Sequence, residues 1–243
     1  MKISVVIPMY NEEKIIKDTA KQVYEYMVKH FGEGEFEVLF SNDGSLDNCA
    51  EAVASLGLPG IKVTGYEKNR GKGCAVRTAI LETVGDFVVF TDADLAYGTE
   101  VIGALYDSYI QNSDAGVFIG SRNIGNDGYS EYTFLRKIMS KTYIKVVCLS
   151  GGFKLSDFQC GCKAFTKEAA RKVFSNCEID GFAFDLEALM LAQKAGYKIA
   201  EIPVKIINHR ESKINVLSDT FKMLGDLIKI KRRVKARNKK TTS

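Results

Sequence analysis

Residues 87–98 read FVVFTDADLAYG. The first four are apolar and read as a buried strand, which closes on two carboxylates, Asp92 and Asp94, one residue apart around Ala93. Two like charges at the mouth of a core either cap a turn or hold something cationic. Upstream, apolar runs alternate with helical patterns. ISVVI at 3–7 precedes a helical stretch over 12–31, in which Ile15, Ile16, Thr19, Ala20, Val23 and Met27 share a face. Strands near 36–40 and 61–66 flank a helix near 47–56, and a helix over about 72–84 leads into the acidic strand. A helix near 99–112 and a strand at 116–120 follow it. This alternation predicts an α/β fold, a mainly parallel sheet with helices on both faces. Ligands of such sheets bind at the carboxyl ends of the strands. Four loops, 8–12, 42–47, 69–73 and 92–98, therefore share one edge.

Beyond residue 121 the pattern changes to a polar, Gly-rich stretch (123–130), a basic helix candidate (132–149) and a Gly-Gly turn. SDFQCGCKAF (156–165) and an amphipathic helix near 184–195 come next. No repeat or linker divides the chain, so one domain over 1–213 is expected, with an appendage over 214–243. In that appendage Ile214, Leu217, Phe221, Leu224 and Ile228 form a stripe at helical spacing. From 229 to 243 there are eight basic and no acidic residues. With +4 over the whole chain, residues 1–228 therefore carry a net −4. An apolar stripe running into a polybasic segment suits an anionic membrane surface; a helix packed on the domain with a solvated tail is the plainer reading. Nucleic acid is a poor partner for an acidic body and a basic run without aromatics.

At 46% hydrophobic and 26% charged residues, the chain can build a sizeable core. Its N-terminus enters a strand directly, so no secretory leader is expected, and no window matches a membrane-spanning helix. The six cysteines are scattered and read as reduced thiols; Cys160 and Cys162 share a face without a histidine nearby, so zinc is not expected.

The other loops add chemistry. In VVIPMYNEE, Pro8 ends a strand, and Asn11 can cap a helix opened by Glu12 and Glu13. In SNDGSLDN, Asp43-Gly44 is a turn, although a carboxylate there can also bind a base or ribose, and Asp47 can cap the next helix. In KNRGKGCAVRTAI, Gly71 and Gly73 open a helix beside Arg70 and Lys72, so free N–H groups and cations suit a phosphate. Neither a Walker loop nor GxGxxG is present. Paired carboxylates on a turn make a hard-oxygen site open to Mg²⁺ or Mn²⁺ with substrate phosphates.

VVIPMYNEE, NDGS-LD, NRGKGCAVRTAI and DADLAYG, in this order, resemble the family 2 glycosyltransferases with a GT-A, Rossmann-like fold. SDFQCGCKAFTKEAA, GFAFDLEAL and EIPVKIINHRESKIN resemble the members that load a sugar onto a polyprenyl or dolichyl phosphate, with QCG-K-F closest to the glucosyl branch. The resemblance implies a nucleoside pocket at Pro8, Tyr10, Glu12 and Asp43. It further implies a metal–diphosphate clamp at Asp92, Ala93 and Asp94, and Lys213 reaching the diphosphate. Arg122, Arg136 and Ser140 would grip the acceptor phosphate, and Asp157 would lie near the sugar, with a turn cap as its plain alternative. Lys72 joins the donor set through its loop. Ala96 stands where mannose-transferring relatives carry Gln, and Arg210-Glu211 where relatives tend to have Gly.

The expected activity is metal-dependent, inverting transfer of a hexose, favouring UDP-glucose, onto a polyprenyl phosphate, by a peripheral protein on the cytoplasmic face of a membrane. Alternatives are GDP-mannose as donor, a saccharide hydroxyl as acceptor (which would need Asp157 as base), or a non-catalytic adaptor binding lipid phosphate or nucleotide sugar.

Overall fold

The computed structural model describes residues 1–124, 154–208, 229, 230 and 233. A seven-stranded sheet lies between two helical layers. Its strands are β1 (Ile3–Met9), β2 (Phe36–Asp43), β3 (Ile61–Tyr66), β4 (Phe87–Phe90), β5 (Ala115–Ser121), β6 (Lys163–Thr166) and β7 (Lys198–Pro203), in the order β3-β2-β1-β4-β6-β5-β7. The helices are α1 (Glu13–Phe31), α2 (Cys49–Ala54), α3 (Lys72–Glu82), α4 (Glu100–Gln111), α5 (Lys167–Phe174) and α6 (Phe184–Lys194). Six strands run the same way, while β6 is antiparallel to both neighbours, β4 and β5.

The period of two sorts each strand onto two cores. Val5, Ile7, Phe87 and Val89 face α1, α2 and α4, whereas Val6, Val88 and Phe90 face α3, α5 and α6. Central strands buried on both sides read as continuous apolar runs, which is why β1 and β4 are legible in the chain. Residues 229, 230 and 233 are helical, and Ile230 is fully buried in the second core, with Arg233 3.3 Å from Glu178.

Three expectations change. Strands β6 and β7 and helix α5 were not foreseen; β6 is four residues long and begins with a lysine, so it carries little period. Helix α6 is not amphipathic, since every residue from Phe184 to Ala192 is buried. Asn11 does not cap α1: it adopts φ 54°, and its side-chain oxygen accepts from the Leu46 N–H at 2.8 Å. Asp47 takes over that task, accepting from Glu13 N–H at 2.9 Å and Cys49 N–H at 3.2 Å, so one carboxylate serves the starts of α1 and α2. The basic helix candidate at 132–149 and the stripe from Ile214 to Ile228 lie outside the described residues.

Candidate active site

The register β1–β4 pairs Val6 with Phe90, so β4 stops three residues short of the end of β1, and the chain after β4 turns along this edge. The turn is tightly wired. Leu95, with φ 46°, donates its N–H to the Asp92 carbonyl at 3.0 Å, and Gly98 donates to the Leu95 carbonyl at 2.8 Å. Thr19 of α1 donates its hydroxyl to the Ala93 carbonyl at 2.7 Å, and the Ala96 N–H donates to Asp94 Oδ1 at 3.1 Å. The segment after β7 seats on the same loop: Ile207 and Asn208 both donate N–H groups to the Ala96 carbonyl, and the Asn208 amide donates to the Leu95 carbonyl.

Asp92 does not stand as a bare charge. Lys72 Nζ lies 2.5 Å from its Oδ1, with the two side chains 23% and 31% exposed. Burial disfavours the ammonium, but attraction to Asp92 and Asp185, the hydrogen bond to Asp92 and the field of Asp94 outweigh it. The Lys72 pKa therefore lies above the ordinary lysine value. On the other flank a side chain at Gly161 would collide with Asp92 Oδ2. Beneath the pair, Lys163 Nζ sits fully buried 2.9 Å from Asp185 Oδ1, donates to the Cys160 carbonyl at 2.7 Å and lies 5.4 Å from the centre of the Phe90 ring. Burial raises the Asp185 carboxyl above its usual range, against the pull of Lys163 and Lys72.

The glycine-rich loop before α3 is fastened by side-chain and backbone oxygens of the protein. Asp43, buried at the end of β2, accepts from the N–H groups of Arg70 (2.9 Å) and Gly71 (3.0 Å), the Asn69 amide and the Tyr66 hydroxyl (2.6 Å). The Cys74 N–H donates to the carbonyls of Gly71 and Asp180. Gly71 has φ 115°, and a Cβ there would lie 2.6 Å from the Asp180 carbonyl oxygen, so these glycines serve close packing against 179–181. Arg70 and Arg77 both bind the Asp180 carboxylate, at 3.2 and 2.5 Å. The N–H groups of Arg70, Gly71 and Cys74 are thus bound to the protein's own oxygens, and Lys72 is the side chain the loop delivers to the edge.

A second cluster joins β5 to the segment before β6. Asp157 is fully buried and receives Arg122 in two hydrogen bonds, Nε to Oδ2 at 2.6 Å and Nη2 to Oδ1 at 3.0 Å. It also accepts from the Gln159 N–H at 3.0 Å, so the turn-cap reading of Asp157 holds alongside the ion pair. Burial works against the Arg122 charge, and the bonds to and attraction of Asp157 overcome it, leaving its pKa well above the ordinary value. Glu201 of β7 accepts from Ser156 N–H (3.0 Å), Ser156 Oγ–H (2.6 Å) and Asp157 N–H (3.3 Å), while the Asn123 amide donates to the Ser156 carbonyl.

The sequence of this chain matches the family model described as glycosyl transferase family 2 over residues 4–174. The chain belongs to this family. It is 32% identical to the dolichyl-phosphate beta-glucosyltransferase of Dictyostelium discoideum, covering 94% of this chain and 73% of that protein. It is 30% identical to the human enzyme of the same name, covering 95% and 75%. The fold is similar to glucosyl-3-phosphoglycerate synthase from Mycobacterium tuberculosis solved with Mn²⁺, UDP and phosphoglyceric acid, with a TM-score of 0.72 at 18% identity over 94% of this chain and 78% of that one. The GT-A architecture expected from the motifs is the one observed.

Within this family 2 glycosyltransferase, Pro8, Tyr10, Glu12 and Asp43 gather at the ends of β1 and β2, with Tyr10 exposed and Pro8 in register with Ser41. Asp92, Ala93, Asp94 and Lys72 meet beyond β4, and Arg122 pairs with Asp157 beyond β5. Arg136, Ser140 and Lys213 lie outside the described residues. Sequence reasoning missed Lys163, Asp185, Gly161 and Glu201. GFAFD was noticed as a string, but a buried lysine between Cys162 and Ala164 carries no local signature.

The acidic pair fits a divalent cation. It offers hard oxygens at a partly open strand end and already attracts an ammonium. Among the described residues no third Asp, Glu, His or Cys completes a protein-only site, which leaves coordination for water and phosphate oxygens. Cys160 and Cys162 share a buried face with Sγ atoms 3.4 Å apart, and the described cysteines are free thiols.

Proposed function

We propose that this glycosyltransferase moves glucose from UDP-glucose onto a polyprenyl or dolichyl phosphate, inverting the anomeric carbon, at the surface of a membrane. The observation that carries the reading is the convergence on one sheet edge of an acidic pair with its lysine and a buried, carboxylate-held arginine. The names of the relatives at 32% and 30% identity supply the acceptor class and the sugar. Alanine at position 96 agrees with the glucosyl branch.

The chemistry asks little of proton transfer. A phosphate acceptor is already anionic at neutral pH; its oxygen bonds to the anomeric carbon as the carbon–oxygen bond to UDP breaks, and UDP leaves with the electron pair. An α-linked donor gives a β-linked product. Catalysis is then positioning and charge neutralisation. Asp92 and Asp94 would hold Mg²⁺ or Mn²⁺, which neutralises the charge developing on the diphosphate. Asn208 rests on the acidic loop, and Lys213 follows five residues later, within roughly 17 Å of extended chain, so it can approach the same group. Asp43 and Tyr10 would flank the nucleoside. Arg122 would face the acceptor phosphate with Asp157 fixing its plane, alongside Arg136 and Ser140.

This arrangement weighs against a saccharide hydroxyl as acceptor, because both oxygens of Asp157 are occupied by Arg122 and it makes a poor base in that state. No helix among the described residues is long and apolar enough to cross a membrane. The basic run after residue 228 supports contact with an anionic cytoplasmic leaflet instead.

The test incubates the purified protein with polyprenyl phosphate, Mg²⁺ or Mn²⁺, and labelled UDP-glucose or GDP-mannose. A labelled lipid formed from UDP-glucose alone is expected, and Asp94→Ala should lower its rate by about a hundredfold or more. Label appearing only as free sugar, or only on soluble saccharides, would overturn the acceptor assignment.

A further inference from the structure

We propose that Lys72 is an exchangeable internal counter-ion of the acidic pair: its ammonium holds Asp92 in the metal-free protein and must yield that position when a divalent cation loads. The inference rests on Asp92 and Asp94 being the cation ligands and adds a built-in competitor to them.

Two nearby carboxylates need a cation, and here the chain supplies one, 2.5 Å from Asp92 Oδ1. This is no loose surface pair. Lys72 is the first residue of α3, and the backbone on either side of it is fastened, Gly71 to Asp43 and Cys74 to Asp180. The main chain therefore cannot follow if Asp92 turns away, and only the side chain can exchange. On its other flank, Asp92 Oδ2 fills the space that the missing side chain of Gly161 leaves. The carboxylate is wedged between the ammonium and the strap before β6.

The buried Asp185 also attracts Lys72 while it holds Lys163. Asp92, Asp94 and Asp185 thus face Lys72 and Lys163, and the lysine at position 72 has a second anion at hand. A divalent cation at Asp92 would crowd Lys72, pushing its charge towards Asp185 and towards a diphosphate arriving at the same edge. Cation loading and donor binding then reinforce each other: the cation frees the ammonium, and the diphosphate gives it a new partner. Metal without nucleotide should bind weakly, because it competes with a tethered ammonium at very high local concentration.

The experiment titrates Mn²⁺ alone into the full chain, following loss of the free-ion electron paramagnetic resonance signal, with and without UDP. Lys72→Met and Lys72→Gln should bind Mn²⁺ alone about tenfold tighter than the unmodified protein, the size expected for removing one close like charge. Lys72→Arg should behave as the unmodified protein. UDP should tighten Mn²⁺ strongly in the unmodified protein and much less in the two neutral variants. Arg70→Gln, which removes a charge from the same loop but from an Asp180 partner, should change Mn²⁺ affinity by no more than about twofold. Unchanged or weaker Mn²⁺ binding in the folded Lys72 variants overturns the proposal, and so does an equal gain in Arg70→Gln, which would make the effect one of overall charge. Undiminished Mn²⁺ binding in Asp92→Ala and Asp94→Ala would instead defeat the assignment of the cation to these carboxylates.

Discussion

Removing the carboxylate of Asp157 would strand the Arg122 guanidinium in a site only 15% exposed. Breaking a buried pair from one side costs about 3–5 kcal/mol, so Asp157→Ala should lower the urea midpoint as well as the transfer rate. Arg122→Lys cannot restore the two-pronged contact and should recover little of either. Gly161→Ala separates stability from function. The new methyl meets the end of the Asp92 side chain rather than backbone, so the fold can give way there cheaply. Thermal melting should stay near that of the unmodified protein while Mn²⁺ affinity and activity both fall; a normal affinity would show that Asp92 is not where the cation binds. At this scale the sequence is readable where chemistry and backbone geometry coincide, as with two aspartates closing an apolar strand. It is unreadable where a charge is buried by tertiary contact. Nothing around Lys163 announces that it will be buried, since its partner Asp185 is 22 residues away on another element.

Among the elements, the central strands and the four helices α1 to α4 follow from apolar period and turn chemistry. Strands β6 and β7 do not, because one opens on a buried lysine and the other is half-exposed at the sheet edge. The far edge of the sheet offers a pH test. Glu37 of β2 is buried, and burial alone would raise its carboxyl. The Ser4 hydroxyl (2.6 Å), the Val84 N–H (2.7 Å) and Lys62 (3.1 Å) outweigh this and hold it below the ordinary value. With the folded pKa below the unfolded one, near 4.3 on the ordinary scale, this stabilisation is complete above that value and fades as pH falls through the folded one. Asp185 and Glu187, raised by burial, act oppositely as they protonate, so the comparison must be between variants. The melting temperature of the unmodified protein should drop more steeply between about pH 5 and 3 than that of Glu37→Gln. Parallel slopes would refute the assignment.

The whole molecule adds the C-terminal anchor. Ile230 is fully buried in the core on the α3, α5 and α6 side of the sheet, so the chain returns to its own body before the last basic residues. Ile230→Ala should cost about 2–5 kcal/mol in denaturant unfolding. Deleting 234–243 should leave melting unchanged but weaken binding to vesicles rich in anionic lipid, by about 1 kcal/mol for each of Lys235, Arg237, Lys239 and Lys240 at low salt. Equal binding with and without that segment would refute the proposed role of these residues in membrane contact.

The reversed direction of β6 has its own consequence. β5 ends and β6 begins on the edge that carries the site, and Ser121, Arg122 and Asn123 are fastened there to Ser156 and Asp157. The described ends that bracket residues 125–153 therefore lie at adjacent points, clamped together by these bonds. Lengthening a segment between ends held this close adds little closure entropy, about 0.6 kcal/mol per doubling. On the proposed function Arg136 and Ser140 of that segment serve the acceptor, so exchanging sequence between these ends would act on acceptor choice. A common donor-handling chassis could be refitted for one acceptor after another, and chimaeras joined at 124 and 154 are the natural way to refit it by hand.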